Sequence, residues 1–266
     1  MQQYTYMQSG KGISMENNKD RDKVLVSIIT VCYNSSATIR RTMESILQQT
    51  YKHYEYIIID GASTDDTLEI IRSYEPQFGG KMTIISEPDS GIYDAMNKGI
   101  RKASGELIGI VNSDDYYEKD ALEIMAREYT RLQREHVVLY GFQRNMAGEN
   151  EISVVLYHHQ YLGQQMITHP TCFVSKQVYR DFGMFDTSYK SSADYEFMLR
   201  LLYTEKVYFQ PVYEIISNFQ IGGMSGSQKG YRETVRLQYR YKFISPMRYI
   251  RIIVKSWIYE LVHKFK

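Results

Sequence analysis

The sequence predicts an α/β fold in which a mostly parallel sheet is flanked by helices and followed by an amphipathic helical tail at the C-terminus. Short apolar runs rich in β-branched residues alternate with segments in which apolar residues recur every three or four positions. The first pattern is typical of buried strands and the second of amphipathic helices. Parallel strands need crossover connections, which helices of this length supply. The alternation therefore predicts a Rossmann-like sheet covered on both faces.

The first two strand and helix pairs lie between residues 24 and 74. Val24–Cys32 (VLVSIITVC) is an unbroken apolar run of strand length, and Ser36 is a candidate N-cap for a helix over residues 37–49. Tyr54–Asp60 (YEYIIID) has the composition of a second buried strand. The spacing then predicts a helix that opens at Ser63 and runs to residue 74, with acidic residues that suit the positive end of its dipole.

The next strand and helix pairs continue the alternation. Met82–Ser86 and Leu107–Asn112 are predicted strands, and Ile92–Ala103 and residues 120–134 are predicted helices. The second half is less regular. It has predicted strands at His136–Phe142, Ile152–Tyr157 and Val207–Gln210, and predicted helices at Gln177–Asp181 and Asp194–Tyr203.

Polar loops follow the first four predicted strands. They are Tyr33–Ser36, Asp60–Asp66, Glu87–Asp94 and Asn112–Asp115, and all are rich in Asp, Asn, Ser or Gly. The carboxyl ends of parallel strands meet at one edge of a sheet, where the ligands of such folds bind. The sequence has neither a G-x-x-x-x-G-K-[ST] phosphate loop nor a G-x-G-x-x-G after the first strand, which argues against kinase, ATPase and NAD-dehydrogenase functions.

Carboxylates at two strand ends suggest a metal and a nucleotide. Mg²⁺ and Mn²⁺ bind carboxylate oxygens together with substrate phosphates, and Asn112–Asp115 (NSDD) offers two adjacent aspartates. One could ligate the metal while the other orients a ribose hydroxyl, or both could simply cap the segment from Tyr116 onward. Asp60 is followed by Gly61 and can accept a hydrogen bond from a base N–H, although a plain strand–turn–helix connection has the same residues.

The net charge of +1 hides an uneven distribution. From residue 226 to the end, ten Lys or Arg face two Glu, a net charge of +8, and the rest of the chain carries −7. An acidic body excludes a dedicated nucleic-acid binder, and the basic tail points to a surface or membrane partner. The two cysteines, Cys32 and Cys172, form no disulfide framework and predict a reducing, cytoplasmic compartment.

Four segments resemble the nucleotide-binding half of glycosyltransferase family 2: VSIITVCYN, YIIIDGASTDDT, SEPDSGIYDAMNKGI and GELIGIVNSDD. The later segment HPTCFVSKQVYRDFGMFDTSYKSSADYEFMLRL resembles the acceptor half, so the resemblance covers about residues 24–225. Members of this family are inverting, metal-dependent enzymes with a GT-A-type fold. The resemblance implies a nucleotide-sugar donor, expected to be a UDP-sugar, a Mn²⁺ or Mg²⁺ cofactor, and a glycan or lipid-linked saccharide acceptor in surface polysaccharide biosynthesis.

The same resemblance implies roles for residues at matching positions. The implied nucleotide-sugar-binding residues are Tyr33, Asn34, Asp60, Asp94, Asn97, Asn112, Ser113 and Asp115. Tyr33 and Asn34 match the loop that packs on the nucleobase, and Asp60 matches the base-recognising carboxylate. Asp114 matches the metal ligand, and Asp194 matches the catalytic base.

Two positions depart from the family pattern. Asn112 stands where many members have the first Asp of a D-x-D element, and Ala193 stands where many have a Glu before the base. Asp194 has a second interpretation as the N-cap of its helix, and Glu196 is the fallback base. His169 could touch acceptor or phosphate, but a structural role is favoured.

The tail carries an apolar stripe at helical spacing. The stripe consists of Met247, Ile250, Val254, Trp257, Leu261 and Phe265, and it is flanked by Arg248, Arg251 and Lys255. This pattern predicts an interfacial helix drawn to an anionic membrane, with a helix packed on the domain as the alternative. No apolar run is long enough to span a bilayer, so a peripheral location on the inner face of the cell membrane is expected.

The chain is predicted to divide into three parts. They are a disordered N-terminal tail (1–22), a glycosyltransferase domain (23–225) with nucleotide-binding (23–116) and acceptor (117–225) halves, and a basic helical extension (226–266) that follows a hinge at Gly222–Gly230. The predicted activity is hexosyl or N-acetylhexosaminyl transfer. The alternatives are an inactive nucleotide-sugar-binding scaffold and a nucleotidyltransferase, which usually needs a basic glycine-rich loop that VCYNSSAT does not offer.

Overall fold

The structure is a computed structural model of the 266-residue chain that describes residues 23–222 and 228–263. The predicted N-terminal tail, Phe265 of the apolar stripe and most of the predicted Gly/Ser hinge therefore lie outside the described residues. The strands are β1 (Val26–Cys32), β2 (Tyr54–Asp60), β3 (Met82–Ser86), β4 (Leu107–Ile110), β5 (Tyr116–Tyr117), β6 (Val137–Ala147), β7 (Asn150–Val155), β8 (Phe173–Ser175) and β9 (Tyr208–Gln220). The α-helices are α1 (Ile39–Leu47), α2 (Thr67–Tyr74), α3 (Ile92–Lys102), α4 (Ala121–Leu132), α5 (Lys176–Phe182), α6 (Ala193–Thr204), α7 (Gln228–Arg240) and α8 (Pro246–His263).

The strands form one sheet in the order β3-β2-β1-β4-β8-β6-β9-β5, with β7 paired to β6. The first four strands in this order are parallel, which confirms the predicted α/β fold. Strand β8 then joins β4 to β6 by antiparallel pairing on both sides, and β6 and β9 run parallel to each other. The chain moves from β1 to β2 and β3 on one side and returns to β4 on the other. The strand order therefore reverses at β1, which makes the β1–β4 edge the expected ligand crevice.

Two hydrophobic cores cover the two faces of the sheet. Neighbouring residues of a strand point to opposite faces, so Ile28 and Ile29 of β1 belong to different cores. One core is closed by α1, α2 and α4, and the other by α3 and α6. Both isoleucines are fully buried, and each such side chain stabilises the fold by about 1.5–3 kcal/mol. Apolar burial on both faces is what produced the unbroken apolar runs.

The first two helices begin later than predicted. Helix α1 begins at Ile39 after Thr38, and neither Ser36 nor Thr38 caps it with its side chain. Helix α2 begins at Thr67, four residues after Ser63. The polar residues at these positions bond between loops instead: the Asp65 carboxylate accepts from the backbone N–H of Ser36 (3.1 Å), and the Ser63 hydroxyl accepts from that of Asn34 (2.8 Å). The two predicted helix starts were wrong because cross-loop hydrogen bonds use the polar groups that local capping would use.

The C-terminal extension is a pair of helices held together by Arg232. This side chain is almost buried in α7 and forms a salt bridge with Glu260 (2.7 Å), a hydrogen bond with Ser256 (3.2 Å) and a cation–π contact with Trp257, all in α8. Helix α7 starts at Gln228, so the end of the predicted hinge is helical. Among the described residues, no helix is both long enough and apolar enough to cross a membrane.

Candidate active site

The loops after β1 and β4 meet at the point where the strand order reverses. The hydroxyl groups of Ser35 and Ser113 share a hydrogen bond of 2.8 Å across this crevice. Thr42 of α1 also donates to the backbone carbonyl of Asp115 (2.7 Å), which fixes the β4 loop from below. Two of the four predicted loops are therefore joined by direct contacts.

The loops after β1 and β2 are joined through Asn34. Its side-chain carbonyl accepts from the backbone N–H of Thr64 (2.8 Å), and its own N–H donates to the Ser63 hydroxyl (2.8 Å). Asn34 has φ +50°, a left-handed conformation that asparagine tolerates better than most residues. The side chain of Tyr33 is 63% exposed beside this junction. The structure thus leaves the Tyr33 ring free to stack, whereas the Asn34 side chain shapes the loop.

Asp60 is fully buried at the end of β2. Its carboxylate accepts hydrogen bonds from the Ser63 hydroxyl and N–H and from the Ser86 hydroxyl (2.7 Å). The predicted base-recognising carboxylate is therefore already occupied by two serines. A ligand that reached Asp60 would have to share or replace one of these bonds.

Asp89 is a further acidic group at the same edge that the sequence analysis did not single out. A Cβ added to Gly61 would lie 2.6 Å from the Asp89 Oδ2 atom and 3.4 Å from the Tyr33 ring, so a larger residue at this position would displace the Asp89 carboxylate. The other Asp89 oxygen accepts from the N–H of Gly91 (2.9 Å), a residue with φ +120°. The Glu87–Asp94 loop was predicted as part of the site, but nothing local distinguished Asp89 within it.

The β4 loop presents oxygen atoms that suit a divalent cation. The Asp114 carboxylate is partly exposed and makes no hydrogen bond or salt bridge with any residue that the structure describes. The buried Asn112 Oδ1 and Asp115 Oδ2 atoms also lack hydrogen-bond partners there. Oxygen donors of this kind fit Mg²⁺ or Mn²⁺. Within the described residues no three metal-ligating side chains cluster, so such an ion would take its remaining ligands from phosphates and water.

Asp115 differs from its neighbour because it is fully buried. Burial, with a smaller contribution from the Asp114 carboxylate, raises the pKa of Asp115 to about 8. Its Oδ1 atom accepts from the backbone N–H of Gln220 at the end of β9 (3.1 Å). Asp115 therefore ties the β4 loop to the second half of the sheet. The Gly222–Ser225 segment, which follows β9 directly, lies mostly outside the described residues.

Helix α3 places Asp94 and Asn97 differently. Asp94 is partly exposed in the first turn, accepts from the N–H of Ser90 (3.0 Å) and faces Lys98. Asn97 is buried, and its amide makes two hydrogen bonds with the backbone of Phe185, at 2.9 Å and 3.0 Å. The Asn97 amide is thus hydrogen-bonded to the backbone of the acceptor half, whereas the Asp94 carboxylate faces the loop that precedes α3.

Asp194 lies in the first turn of α6, after Ser192 at the N-cap position. Its Oδ1 atom accepts a hydrogen bond from the hydroxyl of Tyr93 in α3 (2.8 Å), which brings the acceptor half to the edge formed by the loop after β3. His169 is close by and packs on Phe185, and burial lowers its pKa although the Asp194 carboxylate partly opposes this. The ring is therefore neutral at pH 7.

Glu196, the fallback base, has another role. It is buried, pairs with Arg200 (3.1 Å) in the same helix and accepts from the hydroxyl of Tyr241 (3.4 Å). A carboxylate held in this way is a structural partner. Of the two acidic side chains in the first turn of α6, Asp194 is the one with an oxygen atom that makes no hydrogen bond to the described residues.

A separate cavity of about 900 Å³ lies at the opposite edge of the sheet. It is lined by residues at the amino ends of β1 and β2 and on α4, including Lys52, His53 and Arg127. None of the predicted site residues lines it. The polar groups described above form an open crevice at the carboxyl edge instead.

Comparison with known families and proteins finds similarity to glycosyltransferases. The model of the family described as "Glycosyl transferase family 2" matches residues 27–235. A PGL/p-HBAD biosynthesis glycosyltransferase of Mycobacterium bovis is 25% identical over 90% of this chain and 96% of its own length. An uncharacterized glycosyltransferase of Mycobacterium tuberculosis is 32% identical over 66% of this chain and 68% of its own. The chondroitin synthase of Escherichia coli is 31% identical over 77% of this chain but 30% of its own length.

Solved glycosyltransferase structures share the fold. S. aureus TarS in complex with UDP-GlcNAc aligns with a TM-score of 0.67 at 20% identity and covers 87% of this chain and 71% of that one. The mannosyltransferase PcManGT from Pyrobaculum calidifontis, in complex with GDP-Man and Mn²⁺, aligns with a TM-score of 0.62 at 16% identity. The alignment covers 89% of this chain and 70% of that one. At these identities the alignments establish the GT-A-type architecture of the sheet and its helices.

Proposed function

Because the chain belongs to glycosyltransferase family 2, we propose that it transfers a sugar from a UDP-sugar to a hydroxyl group of a glycan or lipid-linked saccharide, with inversion at the anomeric carbon. The observation that carries the proposal is the Asp114 carboxylate, which has no partner among the described residues and lies in the crevice where the β1 and β4 loops meet. Ligands of open α/β sheets bind at this point, and a carboxylate without a partner is suited to hold a cation.

The similar proteins support the choice of donor and acceptor. TarS has been solved with UDP and with UDP-GlcNAc, and a mannosyltransferase with GDP-Man and Mn²⁺. A UDP-sugar is therefore the first donor to test and a GDP-sugar the second. The chondroitin synthase relative favours a glycan acceptor of the kind extended in surface polysaccharide biosynthesis.

The residues at the crevice would bind different parts of the nucleotide-sugar donor. Tyr33 would stack on the nucleobase, Asp60 or Asp89 would accept from its edge, and Asn112 and Ser113 would contact the ribose. Asp114 would hold Mn²⁺ or Mg²⁺, with Asp115 behind it. The bound cation would neutralise the charge that develops on the diphosphate as it leaves.

Asp194 would act as the base of a single displacement. The acceptor oxygen forms a bond to the anomeric carbon as the bond from that carbon to the diphosphate oxygen breaks. The acceptor proton passes to the free oxygen of Asp194, and the nucleoside diphosphate leaves with the bonding electron pair. A base in this position must approach from the face opposite the leaving group, and the contact between α6 and α3 holds it at the same edge as the donor loops.

A thermal-shift panel of nucleotides and nucleotide-sugars tests the proposal directly. With Mn²⁺ present and the ligand at about 100 times its Kd, a UDP-sugar is expected to raise the Tm by roughly 5–10 °C. The same ligand without a divalent cation should give a much smaller shift, and ATP serves as the control for nonspecific nucleotide binding. Stabilisation by nucleoside triphosphates alone would favour a nucleotidyltransferase. If no nucleotide-sugar stabilised the protein, the transferase proposal would fail.

We propose further that α8 attaches the enzyme to the anionic inner face of the cell membrane. The side chains of Met247, Ile250, Val254, Trp257 and Leu261 are between 49% and 82% exposed. Helix α8 packs on α7 through its other face, where Ser256 is buried and Glu260 meets Arg232. The stripe thus keeps about half or more of its surface exposed on the described residues, although the Trp257 ring also contacts Arg232 of α7. Exposed basic residues, Arg248, Arg251 and Lys255, flank it, which favours lipid of negative charge.

Vesicle flotation tests the membrane proposal. Ile250→Ser combined with Leu261→Ser should weaken binding to phosphatidylglycerol-containing vesicles at least roughly tenfold, because two exposed apolar side chains are lost. Ile152→Ser is the matched control, since Ile152 is 58% exposed on β7 and lies outside the stripe. Binding should be weak on neutral vesicles. If the full-length protein formed a dimer that the double substitution dissociated, or if it never bound anionic vesicles, the stripe would not be a membrane surface.

A further inference from the structure

We infer that Tyr93 is a positioning residue for the catalytic base, through a hydrogen bond that connects the start of α3 with the start of α6. This inference rests on the proposed function, because it concerns how Asp194 is held during transfer. The Tyr93 hydroxyl donates to the Oδ1 atom of Asp194 at 2.8 Å. The two residues are 101 positions apart in the chain, and each lies in the first turn of its helix.

The position of the Tyr93 ring makes this contact well defined. The residue is only 7% exposed, and its ring packs against Phe185 with centroids 5.7 Å apart. Burial raises the pKa of Tyr93 well above its usual range, and the negative charge of the nearby Asp194 carboxylate raises it further. The hydroxyl therefore keeps its proton at all working pH values and remains a donor. A buried donor on a ring that is packed in place holds the carboxylate that accepts from it.

Asn97 strengthens the same connection one turn later in α3. Its amide bonds to both the N–H and the carbonyl of Phe185, at 3.0 Å and 2.9 Å. Phe185 in turn packs on Tyr93 and on His169, the ring that lies near Asp194. Two residues of one helical face, at i and i+4, thus hold the surroundings of the base.

The two carboxylate oxygens of Asp194 have different surroundings. Oδ1 is held by Tyr93, and Oδ2 makes no hydrogen bond with the described residues, so it is available to take the acceptor proton. The other titratable groups near the carboxylate are neutral at pH 7, since burial lowers the pKa of His169 and raises that of Cys172. Tyr93 is the one group in this neighbourhood shown to donate a hydrogen bond to the Asp194 side chain among the described residues.

Tyr93→Phe removes the donor and keeps the ring. We expect kcat to fall roughly 10- to 100-fold, with the donor KM within about twofold of the wild-type value, because a hydrogen bond to a charged group is lost at the base and not at the donor. The matched control is Tyr195→Phe. Tyr195 is also buried in this region, but its hydroxyl donates to the backbone carbonyl of Leu162 instead of the base. We expect Tyr195→Phe to change kcat less than threefold.

A double-mutant cycle with Asp194→Asn separates positioning from packing. If Tyr93 acts through the base, Tyr93→Phe should lower kcat per folded molecule little further once Asp194 is replaced, because the positioned group can no longer take the proton. A packing defect would lower kcat by the same factor in both backgrounds, and kcat is expressed per folded molecule, so the test holds even if the variant is less stable. Wild-type kcat in Tyr93→Phe, or an equal loss in both backgrounds, would overturn the inference. An inactive wild-type protein would instead overturn the proposed function.

Discussion

Asp194→Asn is expected to abolish sugar transfer while leaving donor binding intact. The amide has nearly the same shape as the carboxylate, and its carbonyl oxygen can still accept from the Tyr93 hydroxyl. It cannot take a proton from the acceptor, however, and general-base catalysis contributes roughly 10²–10⁴-fold to such reactions. The measurement is release of UDP in the presence of acceptor, alongside the thermal shift produced by the donor and Mn²⁺. Activity should fall by that factor, and the donor-induced shift should be that of the wild-type protein.

Glu196→Gln is the control that distinguishes a base from a structural carboxylate. Glu196 lies in the same turn of α6, but it is buried against Arg200 and the Tyr241 hydroxyl. Its substitution leaves a partly buried guanidinium without its charge partner, so a loss of stability is expected, without a selective loss of kcat per folded molecule. Full activity of Asp194→Asn would refute the base assignment. A selective kcat loss in Glu196→Gln would move the assignment to Glu196.

The first half of the fold was predictable because its signals are local. Residues of β1 and β2 are buried on both faces of a parallel sheet, so each strand is one continuous apolar run. Strands β5 and β8 have two and three residues and were not predicted, because their pairing partners lie far away in the chain. Strand β9 was predicted to end at Gln210 but reaches Gln220, since pairing with β6 extends it through residues with no apolar alternation.

The candidate site was predictable as a set of loops but not as a set of contacts. The carboxyl-edge rule selected the loops containing Ser35 and Ser113, which the structure joins by a hydrogen bond. It could not predict that Asp60 is occupied by Ser63 and Ser86, since the second of these lies on another strand. The partnership of Tyr93 with Asp194 was likewise inaccessible, because a single sequence carries no information on side chains that meet from opposite halves of the fold.

The basic extension is attached to the rest of the fold through its two helices. Helix α7 is bound to the segment that precedes Asp194, since the Glu233 carboxylate accepts from the N–H groups of Lys190 and Ser191 at 2.8–3.1 Å. Helix α8 is fixed to α7 through Arg232. The basic extension is thus continuous, through hydrogen bonds and a salt bridge, with the element that carries the proposed base. A membrane-bound α8 would hold this end of the active site close to a lipid-linked acceptor.

Asp114→Asn is expected to remove the metal dependence of donor binding. The Asp114 carboxylate has no partner among the described residues, so its replacement leaves no other charged group without a partner. The fold should therefore be unaffected. A neutral amide is a weaker ligand for Mn²⁺ than a carboxylate. The roughly 5–10 °C increase in Tm that a UDP-sugar gives with Mn²⁺ should fall to the small value seen without a divalent cation. Transfer should be lost in parallel, because the diphosphate would leave without charge compensation.

Asp120→Asn provides the matched control for Asp114→Asn, because it makes the same change of charge at an exposed residue just before α4, outside the crevice. It should keep both the Mn²⁺-dependent shift and transfer, which separates a local ligand effect from a change in the overall field of the acidic body. A Tm in the absence of ligand equal to that of the wild-type protein would show that Asp114→Asn is folded. If Asp114→Asn then kept a full Mn²⁺-dependent shift, the metal would have to be held elsewhere, and the orphaned oxygens of Asn112 and Asp115 would be the next ligands to test.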